Sequence, residues 1–246
     1  MNFSMLIINN NRSKAYLQNL VRNNFIPNKV IVLNDSNVTL VEHTENDKLI
    51  SQNTNQKFIQ KIDSLDIFFD EKEHILKTLK ENNIKFNVID NLDINSKEVI
   101  NEVTNTPDEY IVYSGPSSSI LRKEILSKNK KFLHVHPGLL PKFRGSTTIY
   151  YSYLLESKIG CSVIILDNGI DEGSILYEKE YKILEKEIDF DYLLDPLVRA
   201  KTLVEFFQNK KINPVNQKNN KDKTTFYIIH PVLKHLSIMK HNKESG

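Results

Sequence analysis

Two hydrophobic periods alternate along this chain. Phe3 to Ile8 is a short apolar run flanked by Asn, Ala15, Leu17, Leu20 and Val21 recur at helical spacing, and Lys29-Val-Ile-Val-Leu33 is a β-branched run of strand length. This opening predicts a β-α-β unit. Its strands are apolar throughout, as strands buried on both faces are, which points to a parallel sheet covered by helices with ligands beyond the carboxyl ends of the strands. The alternation continues. A helix is expected around Glu71 to Glu81, a strand at Lys85 to Ile89, a helix near Ser96 to Val103 and a strand at Tyr110 to Tyr113. A short helix at Ile120 to Leu126 leads to a strand at Lys131 to His136, stopped by Pro137-Gly138. Strands follow at Gly160 to Leu166 and Ser174 to Ile183, and Tyr192 to Phe207 has helical spacing. Residues 34 to 57, rich in Asn, Ser, Thr and Asp, predict a loop with an irregular element. Asn209 to Lys223 is Lys/Asn-rich and predicts a solvated linker, after which Thr225-Phe-Tyr-Ile-Ile regains strand character. The expectation is an α/β fold, a mostly parallel sheet with helices on both faces over residues 1–208. Residues 209–246 would form a linker and a small C-terminal β element.

Composition narrows the class. A chain of 246 residues fits one large domain or one with a small appendage, and its 33 Lys+Arg against 31 Asp+Glu leave a net charge of +2. That balance is not one of a protein that tracks phosphates. The 39% hydrophobic share supports a sizeable core, yet no window reaches the roughly 18 apolar residues of a membrane helix. The single Cys161 excludes an intramolecular disulfide, and the N-terminus lacks a basic region and a cleavage site, so a soluble cytoplasmic protein is expected.

Three segments carry candidate chemistry: the strand end His134-x-His136-Pro137, the loop Leu139-Leu-Pro-Lys-Phe-Arg144-Gly145, and the turn Asp167-Asn-Gly-Ile-Asp171-Glu-Gly173. A two-residue period places His134 and His136 side by side on one strand face. An imidazole works as acid or base near neutral pH, and a carboxylate such as Asp171 can fix its tautomer. Taken singly each piece is bland: a strand histidine is more often structural, an Asp in such a turn more often a turn former, and Arg144 can simply be tethered to a carboxylate. His-x-His at a strand end is also how metal sites present two imidazoles, with Asp171 as a third ligand for a metal-dependent hydrolase. No partner motif exists among His43, His74, His230, His235 and His241, and such a site leaves the Leu-Leu-Pro-x-Phe-Arg-Gly segment unexplained.

Together the segments resemble a family. His134-Val-His-Pro-Gly-Leu-Leu-Pro-Lys-Phe-Arg-Gly, then Ile159-Gly-Cys-Ser-Val-Ile-Ile-Leu, then Ile170-Asp-Glu-Gly-Ser-Ile-Leu are similar to the core of the 10-formyltetrahydrofolate-dependent formyltransferases. That family's pattern runs Asn-x-His-Pro-x-Leu-Leu-Pro-x-Tyr/Phe-Arg-Gly, Thr-Gly-x-Thr/Ser-Val, Asp-x-Gly. It includes glycinamide ribonucleotide, methionyl-tRNA and nucleotide-sugar enzymes, and it implies a Rossmann-like fold. It implies that an acceptor amine attacks the formyl carbon and that the folate nitrogen is then expelled. By position His136 matches the histidine that stabilises the oxyanion or relays a proton, and Asp171 the aspartate paired with it. His134 stands where the family has an asparagine that bonds the formyl oxygen. An imidazole N–H donates as an amide does, and an imidazolium more strongly, adding a titrating group. No metal is implied. The resemblance places the folate near Gly115, Ile120, Leu121 and the Asp167 turn.

A methionyl-tRNA enzyme would carry a further C-terminal domain and a basic surface, and the purine enzyme a Gly/Ser/Asn-rich phosphate loop where this chain has Asn9-Asn-Asn-Arg-Ser-Lys. Elimination leaves the amine of an amino sugar, nucleotide-linked, as acceptor, with no nucleic acid and no membrane as partners. The family also implies homodimers, and the expected setting is surface-glycan biosynthesis. A scaffold that lost catalysis and binds a ligand is the other outcome. Tyr150, Tyr151, Tyr153, Phe226 and Tyr227 are candidates to hold a nucleobase, with core packing as their default role. The segment His230-Pro-Val-Leu-Lys-His235 is a candidate to close over the acceptor.

Overall fold

The computed structural model describes residues 1–35, 58–116, 119–209, 213–217 and 224–245. The irregular stretch expected at 34–57 therefore lies mostly outside the described residues, as do Ser117 and Ser118 and much of the linker. Strands β1 (Phe3–Ile8), β2 (Val30–Leu33), β5 (Phe86–Ile89), β6 (Tyr110–Ser114), β7 (Lys131–His136), β9 (Ile159–Ile165) and β10 (Ile175–Tyr181) form one sheet in the order β10-β9-β7-β6-β1-β2-β5. From β7 to β5 all neighbours are parallel, while β9 and β10 add on antiparallel. The sequence order reverses between β1 and β6, so the connections that leave their carboxyl ends run to opposite sides of the sheet, which is where such folds form a crevice.

Period-two alternation sorts the core into two faces. Phe3, Met5, Ile7, Val32, Val112, Leu133 and Val135 point into one cluster, completed by helices α1 (Asn11–Arg22) and α6 (Asp195–Gln208). Leu6, Ile31, Leu33, Ile111, Tyr113 and Phe132 point into the other, completed by α3 (Lys97–Thr104) and α4 (Lys123–Leu126). Cys161 is fully buried in the first cluster, where burial pushes its thiol up to about 12 and leaves it inert at neutral pH. α1 starts where Asn10 caps it, its side chain accepting from the Ser13 N–H at 2.9 Å.

Several elements depart from the pattern. A hairpin of β3 (Ile59–Ile62) and β4 (Ile67–Asp70) precedes α2 (Ile75–Glu81) and lies outside the main sheet. It is held by side chains of α1: the Gln18 amide bonds both the carbonyl and the N–H of Asp70, and Asn19 and Arg22 donate to the Phe68 carbonyl. The segment Thr148–Glu156, aromatic and β-branched enough to disfavour a helix locally, is helix α5; tertiary packing on β9 and the C-terminal segment decides it. The expected small β element is present as β11 (Thr225–Phe226), two residues that pair with β8 (Arg144–Gly145). The chain then continues as helix α7 (Pro231–Glu244), begun by Pro at its first position and capped by His230. Ser237 and Lys240 of α7 bond the carbonyls of Tyr150 and Leu154 at 3.0 Å, which seats it on α5.

Replacing Leu17, fully buried between α1 and the sheet, by alanine is expected to cost about 2–5 kcal/mol. Urea unfolding should show a lower midpoint at unchanged slope; a shift below about 1 kcal/mol would contradict this packing.

Candidate active site

β7 ends in His134 and His136, both on the side opposite Leu133 and Val135, and Pro137-Gly138 turns the chain away at once. His136 is 1% exposed. Its Nε2 lies 2.6 Å from the carbonyl oxygen of Phe143, which can only accept, so this nitrogen carries a hydrogen. The Thr148 hydroxyl 3.2 Å away donates to the Pro137 carbonyl and offers Nε2 only its lone pairs. On the other edge of the ring, Nδ1 faces Asp171 Oδ2 at 3.3 Å.

Asp171 sits at φ +51° in a turn held from several sides. Its Oδ2 accepts the Gly145 N–H at 2.9 Å, and its carbonyl and that of Gly173 accept from Gln217 Nε2 at 3.0 and 2.6 Å. A Cβ on Gly173 would meet the Ile165 carbonyl at 1.6 Å, so only glycine lets the turn lie against β9. Burial would raise the Asp171 carboxyl, but the two histidines and the Gly145 N–H outweigh it and hold it well below the usual carboxylate range. Arg144, 2% exposed, donates to Glu172 at 3.2 Å and to Gln217 at 3.1 Å. It is the tethered arginine of the bland reading, and it braces the turn.

His134 lines the same cleft of about 360 Å³ with Arg12, His136, Asp171, Asp191, Asp195 and Arg199. Its Nδ1 is buried without a partner among the described residues, as is the hydroxyl of the neighbouring Tyr113, and the two rings lie 6.4 Å apart. Burial lowers the His134 imidazole to about 3, and the Arg199 guanidinium adds to this against the pull of Asp171. The imidazolium version of its role is therefore corrected: at neutral pH His134 is a neutral imidazole, donating through one nitrogen only.

Two arginines account for this field, and the sequence patterns alone did not single them out. Arg199 donates to Asp195 at 2.8 Å, an i,i+4 pair on α6, and to the Val135 carbonyl at 2.9 Å. Burial works to lower it, but Asp195 together with its other neighbours outweighs that burial and raises it overall. Arg12, in the first turn of α1, donates to Ser114 Oγ at 3.0 Å and to the Gly115 carbonyl at 2.7 Å. Position was the available signal for Arg12, directly after β1 at the carboxyl edge of the sheet. For Arg199 it was the Asp-x-x-x-Arg spacing.

Gly115 is thus tied to the cleft through Arg12. Ile120, Leu121 and Asp167 do not line that cleft. Ile120 is 61% exposed beside a separate depression formed with Asp93, Asn95 and Arg122, Leu121 is buried in the second core cluster, and Asp167 is exposed. Among the aromatic candidates, Tyr150 packs on Phe190 and also lines the cleft, its hydroxyl donating to Asp191 at 2.7 Å, Tyr153 is a core residue packed on Phe190, Phe226 stacks between Phe143 and Tyr151, and Tyr227 is exposed. His230 and His235 are outside the cleft, on the exposed side of α7.

The family model described as formyl transferase matches residues 14–193, most of the chain, and the chain belongs to this family. Over 113 residues it is 34% identical to the methionyl-tRNA formyltransferase of Finegoldia magna, covering 45% of this chain and 36% of that protein. The curated relatives are matched over only 26% to 46% of their lengths. A sugar N-formyltransferase from a Shewanella species shares the fold at TM-score 0.54 and 16% identity, over 98% of this chain and 88% of that one. The N-formyltransferase of Helicobacter canadensis, solved with folinic acid and dTDP-3-aminofucose, does so at TM-score 0.56 and 18% identity, over 98% and 81%. Among the described residues no helix is long and apolar enough to cross a membrane.

His134, with a folded value below its unfolded 6.5, binds its proton more readily when unfolded, so stability falls as pH drops below about 6.5. The imidazole signals of His134 in an NMR titration should stay in the neutral form from pH 8 to 5. A midpoint above 6 would contradict the geometry of the cleft. Gly173→Ala is expected to destabilise the turn by more than about 1 kcal/mol, read as a lowered Tm.

Proposed function

We propose that the protein is an N-formyltransferase that moves a formyl group from 10-formyltetrahydrofolate to the amine of an amino sugar, nucleotide-linked. The observation that carries this is the convergence of His134, His136 and Asp171 at the carboxyl end of β7, within the segments that match the family. 10-Formyltetrahydrofolate would supply a formyl carbon for the amine to attack and a nitrogen that leaves. The residues present suit such a donor, because Nδ1 of His134 and the Tyr113 hydroxyl are polar atoms with no partner among the described residues. Of the residues the resemblance places near it, Gly115, tied to the cleft by Arg12, would border it, while Ile120, Leu121 and Asp167 lie away from the cleft. Asn95 holds that loop, donating to the Ile120 carbonyl at 3.0 Å and accepting from the Arg122 N–H at 2.8 Å.

His134, neutral, offers one N–H to the formyl oxygen, where negative charge builds as the amine adds, and so stands in for an amide. Arg12 and Arg199 lend the cleft positive potential toward the same charge. His136 and Asp171 hold and move the proton: the attacking amine must lose one and the departing nitrogen must gain one, and the carboxylate stabilises the ring that carries it between them. The structural neighbours with sugar acceptors support the sugar reading, and the relatives named for methionyl-tRNA favour the other acceptor.

The test is tetrahydrofolate release from 10-formyltetrahydrofolate against a panel of nucleotide-linked amino sugars, with methionyl-tRNA alongside. Turnover on a sugar is expected, falling about 10²–10⁴-fold in His136→Ala and in Asp171→Asn. Activity on methionyl-tRNA alone would overturn the acceptor. Folate binding without transfer to any acceptor would replace the enzyme by a binding protein.

A further inference from the structure

The Phe143 carbonyl fixes a hydrogen on His136 Nε2, so in the neutral ring the Nδ1 lone pair points at the Asp171 carboxylate 3.3 Å away. Two electron-rich atoms at that distance need a cation between them. A second proton on the ring is one solution and a metal ion is another. Zinc held tetrahedrally at about 2.0–2.1 Å sets its ligand atoms roughly 3.4 Å apart, the spacing His136 and Asp171 already have. His134 brings a third donor: one ligand atom from each of His134, His136 and Asp171 lies within 4.8 Å of the others. No other such group of His, Cys, Asp or Glu occurs among the described residues.

The ligand set and its hydrogen bonds are those of a zinc-class site, and the three ligands work against the positive potential of Arg12 and Arg199 in the same cleft. Two imidazoles and one carboxylate suit zinc or a neighbouring transition metal better than magnesium or calcium. A ligating histidine commonly donates its other N–H to a carbonyl, as His136 does to Phe143, and a ligating carboxylate is itself hydrogen-bonded, as Asp171 is by the Gly145 N–H at 2.9 Å. The third side of the cluster opens on the cleft, which leaves a coordination position free.

We infer that His134, His136 and Asp171 bind one zinc-class divalent ion, seated between the facing ligand atoms of His136 and Asp171. His134 distinguishes this chain, since an asparagine there would leave only two strong ligands. Resting on the proposed transferase reading, an ion seated there occupies the His136 and Asp171 groups that the reaction uses, and zinc acts as an inhibitor of transfer.

The full chain, stripped with a chelator and dialysed, is titrated with zinc chloride by calorimetry in the absence of folate and acceptor. One equivalent is expected to bind to wild type. His134→Asn and Asp171→Asn, checked for native circular dichroism, should each lose more than the roughly 10–100-fold in affinity that removal of an outer partner costs. His235→Ala, at an exposed histidine outside the cleft, should bind as wild type does. Cobalt(II) gives a second readout, an intense visible spectrum of a tetrahedral site in wild type that weakens in either variant. Absence of stoichiometric binding, binding that survives in both variants, or loss in His235→Ala overturns the site. Because no substrate is present, the metal site and the transfer reaction can fail independently.

Discussion

The carbonyl oxygen of Phe143, 2.6 Å from His136 Nε2, is the contact on which the site depends. It decides which nitrogen carries the hydrogen, and hence which edge of the ring meets Asp171. Buried at the end of a strand, the imidazole cannot turn away without breaking both contacts. The loop from Pro137 to Gly145 exists in this arrangement to bring that carbonyl back over the strand it leaves. Gly145, at φ +104° and with its would-be Cβ 2.1 Å from the Phe226 carbonyl, then passes its N–H to the same Asp171 oxygen that faces the ring. One loop thus positions both partners of the histidine.

Charge is arranged around this pair in layers. Arg199, anchored on Asp195 and on the Val135 carbonyl, sits behind β7, and Arg12 reaches across from α1 to the end of β6. Together with burial they keep His134 uncharged. A neutral donor is what an asparagine would have offered at that position, so the exchange of residue changes the shape and basicity of the group more than its charge. It also adds a metal-binding nitrogen that an amide lacks.

The C-terminal residues are part of the site's support and not an appendage. Gln217 pins the carbonyls on either side of Glu172, Arg144 ties Gln217 to Glu172, and β11 pairs with β8 beside Gly145. α7 closes the aromatic cluster of Tyr153, Phe190 and His241 beneath α5. Polar composition hid this role, because residues that bond backbone carbonyls leave no hydrophobic period.

By itself the sequence determined the strands and helices of the parallel sheet, since burial on two faces demands apolar runs that are visible without coordinates. It also determined the cluster of His134, His136 and Asp171, because strand periodicity fixes the first two and the family motif brings the third. Tertiary structure alone decided the protonation state of His134, the tautomer of His136, and the presence of Arg12 and Arg199 in the cleft. These depend on distances between segments far apart in the chain, and a one-dimensional pattern carries no distance. The same holds for helix α5, whose residues prefer extended structure locally and become helical where β9 and α7 bury them. Local preference is written along the chain, while the field at a buried atom is written only by what folds against it.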